Sequence, residues 1–314
     1  MTARAVQNVV FVALVGLGWG LNGPGSKILF AAEPGTFDGL TLAVTRSAWS
    51  LPLFVAGLAV MWRLAPPRLD ARRWFATLTA GVLFGIVIIV AFTVAAQYTS
   101  VAHISFLIGL SPVTNTALAA LVFRTALDRR AIAALVLGVI GVALLALSRS
   151  AGSSGVIGDG LMVVWLISFA VYACLVRYVG TQVNPLFLMA LVGVVSMASI
   201  LVPGLLLAKG GAIAHAFDSP HVGGWFFGEI VLGSTLVAPT AYTAAVRRLG
   251  VATATIGAEY TALAVGIAAS LAAREAWTAV TVVAGAILCA ALAVTFVPLP
   301  SFGKPTPQGT VTRE

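Results

Sequence analysis

Ionisable residues are so sparse in this sequence that each one set among apolar neighbours is a candidate for chemistry. Glu259 lies in the run Glu259-Tyr260-Thr261-Ala262-Leu263, with Thr255 one turn before it. An ionised carboxylate is costly away from water, so such a glutamate is protonated, paired or functional. A carboxyl in that position can carry a proton in one state and free a site for a ligand in another, which makes Glu259 the expected proton-coupling residue. A hydrogen-bonded structural glutamate is the competing reading. Arg46, in LAVTRSAWSLPLF, is the cationic counterpart. It could anchor a ligand carboxylate, pair with Asp38 two turns away or extend its head outward, and the two structural options rank first.

Uncharged polar residues fall into three further groups. Asn22 stands beside Pro24 in GLGWGLNGPGSK, where an amide at depth requires a partner. Ser111 and Asn115 are four apart and share one helical face, with His103 nearer the end of the same segment. Pro239, Thr240, Tyr242 and Tyr260 gather with Thr255 and Glu259. Trp19 and Trp165 lie near segment centres, where an indole N–H is hard to satisfy, and are expected as paired walls of a cavity. Trp62, Trp74, Trp225 and Trp277 lie at segment ends, where an interfacial aromatic belt accounts for them. The expected ligand-binding set is therefore Trp19, Asn22, Ser111, Asn115, Trp165, Tyr242 and Tyr260.

The elements that must position these residues follow from composition. Of 314 residues, 60% are apolar and 9% charged, with a mean hydropathy of +1.04. A membrane-crossing helix needs about 20 mainly apolar residues. Ten such windows occur, at 8–30, 38–62, 74–97, 101–123, 131–148, 156–178, 185–208, 223–246, 251–273 and 277–297. Continuous apolar runs exclude the short alternating segments of a barrel. The fold class expected is an all-α membrane protein of ten transmembrane helices. Glu259 then lies about 12 Å from its helix end, inside hydrocarbon.

The net charge of +8 is distributed as topology requires, with no nucleic-acid partner implied. Arg63, Arg68, Arg72 and Arg73 crowd one connection and Arg247 and Arg248 another, whereas the alternate connections hold Arg149, Lys209 and Arg274. That asymmetry places both termini in the cytoplasm. Asp70, Asp128, Asp159 and Asp218 are expected to be solvated, Glu33, Asp38 and Glu275 to lie near the outer surface, and Glu229 near a segment end. His103 reads as an interfacial histidine. The first window reads as a retained helix rather than a signal peptide. Cys174 and Cys289 fall inside segments, with no spacing for a disulfide framework or metal site.

The two halves resemble each other. Trp19 and Trp165 occupy corresponding helices, and YTSVAHISFL followed by LAALVFRTALDRRAIAALVLGVIGVALLAL is echoed by RLGVATATIG followed by AASLAAREAWTAVTVVAGAILCAALAV. Five helices per half is an odd number, so the repeats are inverted, spanning 1–150 and 151–297, with a mobile cytoplasmic tail at 298–314. Inverted repeats suit alternating access around a central site. No Walker motif, His-Glu-x-x-His, clustered aspartate pair or Gly-x-Gly-Asp occurs, which counts against an ATP-driven pump and an intramembrane enzyme. No cofactor is implied.

In order and spacing, Trp19-Gly20 with Lys27, Arg46 in the second helix, YTSVAHISFLIGLSPVTNTALAALVF, and Arg274-Glu275 before a helix containing Gly285 resemble the drug/metabolite transporter superfamily. The likeness is to its ten-helix EamA-type branch, over about residues 8–297. That family usually carries Gly-Glu at the ends of its fourth and ninth helices. This chain has Arg124-Thr125 with Asp128, and Arg274-Glu275; Asp128 precedes Gly138 by the same interval as Glu275 precedes Gly285. The resemblance implies an integral multi-pass protein of a bacterial inner (plasma) membrane that exports amino acids or similar small metabolites, with possible proton exchange and contact with membrane lipid. An importer or facilitator of a nucleobase, amine or organic cation is the alternative. Oligomeric state is left open by the sequence.

Overall fold

The computed structural model describes residues 3–296 apart from 65, 66, 68, 125, 128, 148–154, 181, 182, 208, 216, 217, 219 and 250; the tail 298–314 and Asp128 fall outside the described residues. All regular structure among them is helical. The long elements are α1 (Ala3–Ala32), α2 (Gly39–Leu64), α3 (Ala71–Tyr98), α4 (Val101–Phe123), α5 (Arg129–Leu147), α6 (Gly155–Gly180) and α7 (Pro185–Leu206). A π-helical stretch, Gly224–Val237, then runs into α8 (Ala238–Leu249), followed by α9 (Val251–Ala272) and α10 (Ala279–Phe296). The expected windows fall on these elements, the one at 223–246 lying across the π stretch and α8. Among the described residues seven helices are long and apolar enough to cross a membrane, and Gly257–Ala272 and Ala279–Val294 are shorter apolar helices.

Two local departures from the α-helix follow from residue type. α4 breaks at Leu110, which donates to the Leu107 carbonyl and accepts from both Val113 and Thr114. Pro112 has no N–H and its ring would crowd the carbonyl four residues back, so the turn tightens there. α9 lacks a proline and runs unbroken. The second departure is π winding, at Leu83–Ile89 within α3 and again ahead of α8.

The pairing of helices has an internal regularity. α1 packs on α9 and on the π stretch with α8, as α6 packs on α4 and on α3; α2 meets α7, α4 meets α9, and α5 meets α10. Advancing every helix by five maps these pairs onto one another, and it maps the π stretch of α3 onto that of α8. α4 ends at Arg124 and α9 is followed by Arg274, both left-handed at φ 52° and 53°. That is the conformation a glycine adopts without a Cβ penalty of about 1–2 kcal/mol, so both arginines end their helices at the same backbone cost.

The end of the bundle carrying the α1–α2 connection, called distal here, is fastened by polar contacts between the halves. Glu275 accepts from the amides of Val101, 2.8 Å away, and Ala102, 3.1 Å, and from the Ser270 hydroxyl. Ser100 Oγ takes the His103 amide. The opening amides of α4, which have no intrahelical acceptor, are thereby satisfied by a carboxylate aligned with the helix dipole. His103 is not at a solvated interface: it is buried, with Nδ1 3.0 Å from Asp159. Asp159 is buried as well, and the Thr99 hydroxyl donates to it. The expectation of a solvated Asp159 fails because neighbouring helix ends cover it.

Asp38 does not pair with Arg46. It caps α2 by accepting from the Thr41 amide and takes the Lys209 ammonium at 2.8 Å. Burial pushes its carboxyl up, but the Lys209 and Thr41 donors outweigh that and hold it below the usual 3.8.

Two outcomes follow. Glu275→Ala should lower the stability of the detergent-solubilised protein by about 1–3 kcal/mol, because it strands buried amides, and thermal unfolding reads it directly; an unchanged midpoint would show that water caps α4 equally well. Since the folded pKa of Asp38 is depressed, its contribution is present above the ordinary carboxylate range and disappears as pH falls through the folded value. Asp38→Asn should therefore blunt the loss of thermal stability below pH 4, and a variant as acid-sensitive as the parent would contradict the assignment.

Candidate functional site

The glycine-rich segment of α1 forms two seams. A Cβ on Gly16 would lie 2.2 Å from Thr261 Cβ, one on Gly20 2.8 Å from the Ala262 carbonyl oxygen, and one on Gly23 3.3 Å from Ile104. This stripe faces α9 and α4. Gly18 would meet the Gly233 carbonyl at 2.7 Å and Gly25 the Glu229 Cγ at 3.2 Å, so a second stripe faces the π stretch. Close packing, rather than a cavity lining, thus accounts for these glycines. Pro24 does not interrupt α1. Asn22, at helical spacing from Gly18 and Gly25, shares the second stripe. Its Oδ1 is buried and has no hydrogen-bond partner among the described residues.

The central polar contact joins the two halves. Ser111 Oγ, just past the break in α4, donates to Glu259 Oε1 of α9 at 2.8 Å. Glu259 is 3% exposed. Its Oε2 has no partner among the described residues, nor has Oδ1 of Asn115, one turn beyond Ser111. Thr255, expected as a donor to Glu259, has its side chain outside the described residues. A carboxyl held on one oxygen and bare on the other can take a proton or a ligand N–H at the bare one, which is the chemistry its sequence setting suggested.

The remaining expected residues are dispersed around this contact. Trp19 packs on Tyr242, centroids 5.4 Å apart, in a small cluster with Val15, Ala241 and Ala258. Trp165 stacks on Phe169 at 5.2 Å and neighbours Phe92, within the largest apolar core. The two indoles occupy different clusters. Tyr260 is 37% exposed on α9, and Thr240 bonds back to the Leu236 carbonyl of its own helix turn. Trp49 satisfies its N–H on the Ile213 carbonyl.

A second buried polar group lies between α2 and the π stretch. Arg46 Nε donates to Thr235 Oγ1 at 2.7 Å and Nη2 to Ser234 Oγ at 3.4 Å. Glu229 shares the π stretch and lies within electrostatic range of Arg46. Arg46 is therefore turned inward rather than outward. Arg46 stood out in the sequence, but Thr235 is 189 positions away and the π winding removes these residues from a 3.6-residue period, so nothing linked the two.

The cluster memberships separate the roles of the two tryptophans. Trp165→Ala opens the main core and should cost about 3–5 kcal/mol. Trp19→Ala should cost distinctly less in folding while weakening ligand binding. Thermal unfolding alongside ligand titration checks this, and equal stability losses for both would remove Trp19 from the ligand wall.

Residues 7–147 match the model of the EamA-like transporter family, in agreement over that part of the chain with the resemblance read from the sequence. One solved crystal structure is similar over 92% of this chain and 95% of its own, with a TM-score of 0.56 at 17% identity, a likeness of fold alone. No curated protein matches the sequence.

Proposed function

We propose, on the premise that residues 7–147 are of the EamA-like transporter family, that the chain is a secondary transporter. It works by alternating access and exports small amphipathic metabolites such as amino acids. Its two units are the five-helix repeats 1–150 and 151–297, inverted with respect to each other, with both termini in the cytoplasm. The five-step regularity of helix pairing, the recurrence of π winding and the matched left-handed arginines support that reading. A site shared between such units can be exposed to one side or the other as they rock.

The observation that carries the proposal is the Ser111–Glu259 contact. It spans the two halves, is buried, and leaves Glu259 Oε2 bare beside a helix whose Asn115 amide oxygen is also bare. Substrate polar groups have somewhere to bond there, and Asn22, Trp19, Tyr242 and Tyr260 supply further surface, while Trp165, expected as the second wall, packs in the main core. Glu259 is the coupling carboxylate: protonated, it crosses hydrocarbon at low cost; ionised, it accepts from Ser111 and from the substrate.

Glu259→Gln separates coupling from architecture, because the amide keeps size and hydrogen bonding but cannot titrate. The variant should fold, bind substrate and lose the pH dependence of transport in proteoliposomes. Transport with the parent pH profile would remove Glu259 from coupling. A thermal-shift screen against amino acids, nucleobases and amines identifies the substrate class, since a ligand of the folded state raises its apparent stability.

A further inference from the structure

We infer that Arg46 and Glu229 form a recognition subsite for an ampholyte, the guanidinium taking the ligand carboxylate and Glu229 its ammonium. The inference rests on the transporter reading and names the ligand chemistry at a place distinct from the Ser111–Glu259 contact. Arg46 is 5% exposed and Glu229 9%. Two opposite charges buried this deeply are expected to close into an ion pair with every donor and acceptor satisfied, because unpaired buried charge is strongly unfavourable. They do not close. Among the described residues the guanidinium is hydrogen-bonded to neutral hydroxyls, Nε to Thr235 and Nη2 to Ser234. Glu229 Oε1 is buried with no hydrogen-bond partner.

The surroundings have the same character. Thr45 Oγ1 and Ser50 Oγ, flanking Arg46 on α2, are buried without partners, as is Asn22 Oδ1 on the stripe of α1 that faces the π stretch. Gly25 makes room for Glu229, since a Cβ there would lie 3.2 Å from its Cγ. The group thus offers unpartnered polar atoms on Thr45, Ser50, Asn22 and Glu229 beside a guanidinium and a carboxyl of opposite charge. A bare anion would meet Arg46 but be repelled by Glu229; a bare cation would meet the reverse. A neutral ligand carrying both charges meets neither penalty, and a planar guanidinium matches a carboxylate in two parallel bonds.

The test uses the full chain in detergent and a panel of free amino acids, each compared with its carboxamide, its N-acetyl derivative and its decarboxylated amine. At least one free amino acid should raise the unfolding temperature, and the carboxamide, N-acetyl and amine forms of that amino acid should each bind at least tenfold more weakly. Arg46→Gln and Glu229→Gln should each weaken the free amino acid tenfold or more. If either variant fails to fold, the derivative series on the unaltered protein decides alone. Derivatives that bind as tightly as the parent, or a panel in which no free amino acid binds, overturn the subsite. An amine or nucleobase that stabilises the protein and its Arg46→Gln variant equally, with amino acids inert, leaves the transporter standing and removes the ampholyte.

Discussion

The interior is organised by how closely the backbone of α1 approaches its neighbours. With no side chain at Gly16 and Gly20, α1 lies within a methyl group's width of α9, and at Gly18 it does the same against the π stretch before α8. Without a hydrophobic driving force between helices in lipid, such approach is what holds helices of a bundle together. It also fixes the rotation of α1, and with it the aim of Asn22. The helix is weakly made by propensity because its residues are chosen for contact with three partners.

That close packing sets the terms for the polar groups. Hydrocarbon offers no water, so each buried hydroxyl or charge is satisfied within the protein or not at all. Most hydroxyls here bond back to their own helix, as Ser47 and Thr93 do. Some also join contacts across helices: Ser111 donates to Glu259, and Thr235 and Ser234, which bond back to the Ile230 carbonyl, accept from Arg46. Both of these contacts lie beside irregular backbone, the break at Leu110 in one case and π winding in the other. Irregular winding re-aims side chains that a regular helix would direct elsewhere.

Sequence made the helical membrane class and the segment positions legible, because apolar runs of spanning length have few other readings. It also singled out Ser111, Asn115, Glu259 and Arg46 as unusual for their depth. What it could not supply was partnership. Ser111 and Glu259 are 148 positions apart and fall in separate polar groups along the sequence. His103 and Asp159 looked solvated because each stands near a segment end, and only the packing of α4 on α6 buries them. Glu275 looked like a surface acid until the α4 terminus was brought to it.

The two ends of the bundle are fastened by different physics. Distally the halves are tied by Asp38 with Lys209, Asp159 with His103, and Glu275 with the start of α4. At the opposite end the described contacts between halves are largely aromatic: Trp62 packs on Phe187, and the Arg177 guanidinium lies 4.5 Å from the Phe123 ring centroid. Charged contacts lose less to desolvation as temperature rises, while apolar contacts weaken on cooling. Temperature therefore acts on the two ends in opposite senses: cooling loosens the aromatic end, and warming favours the charged end.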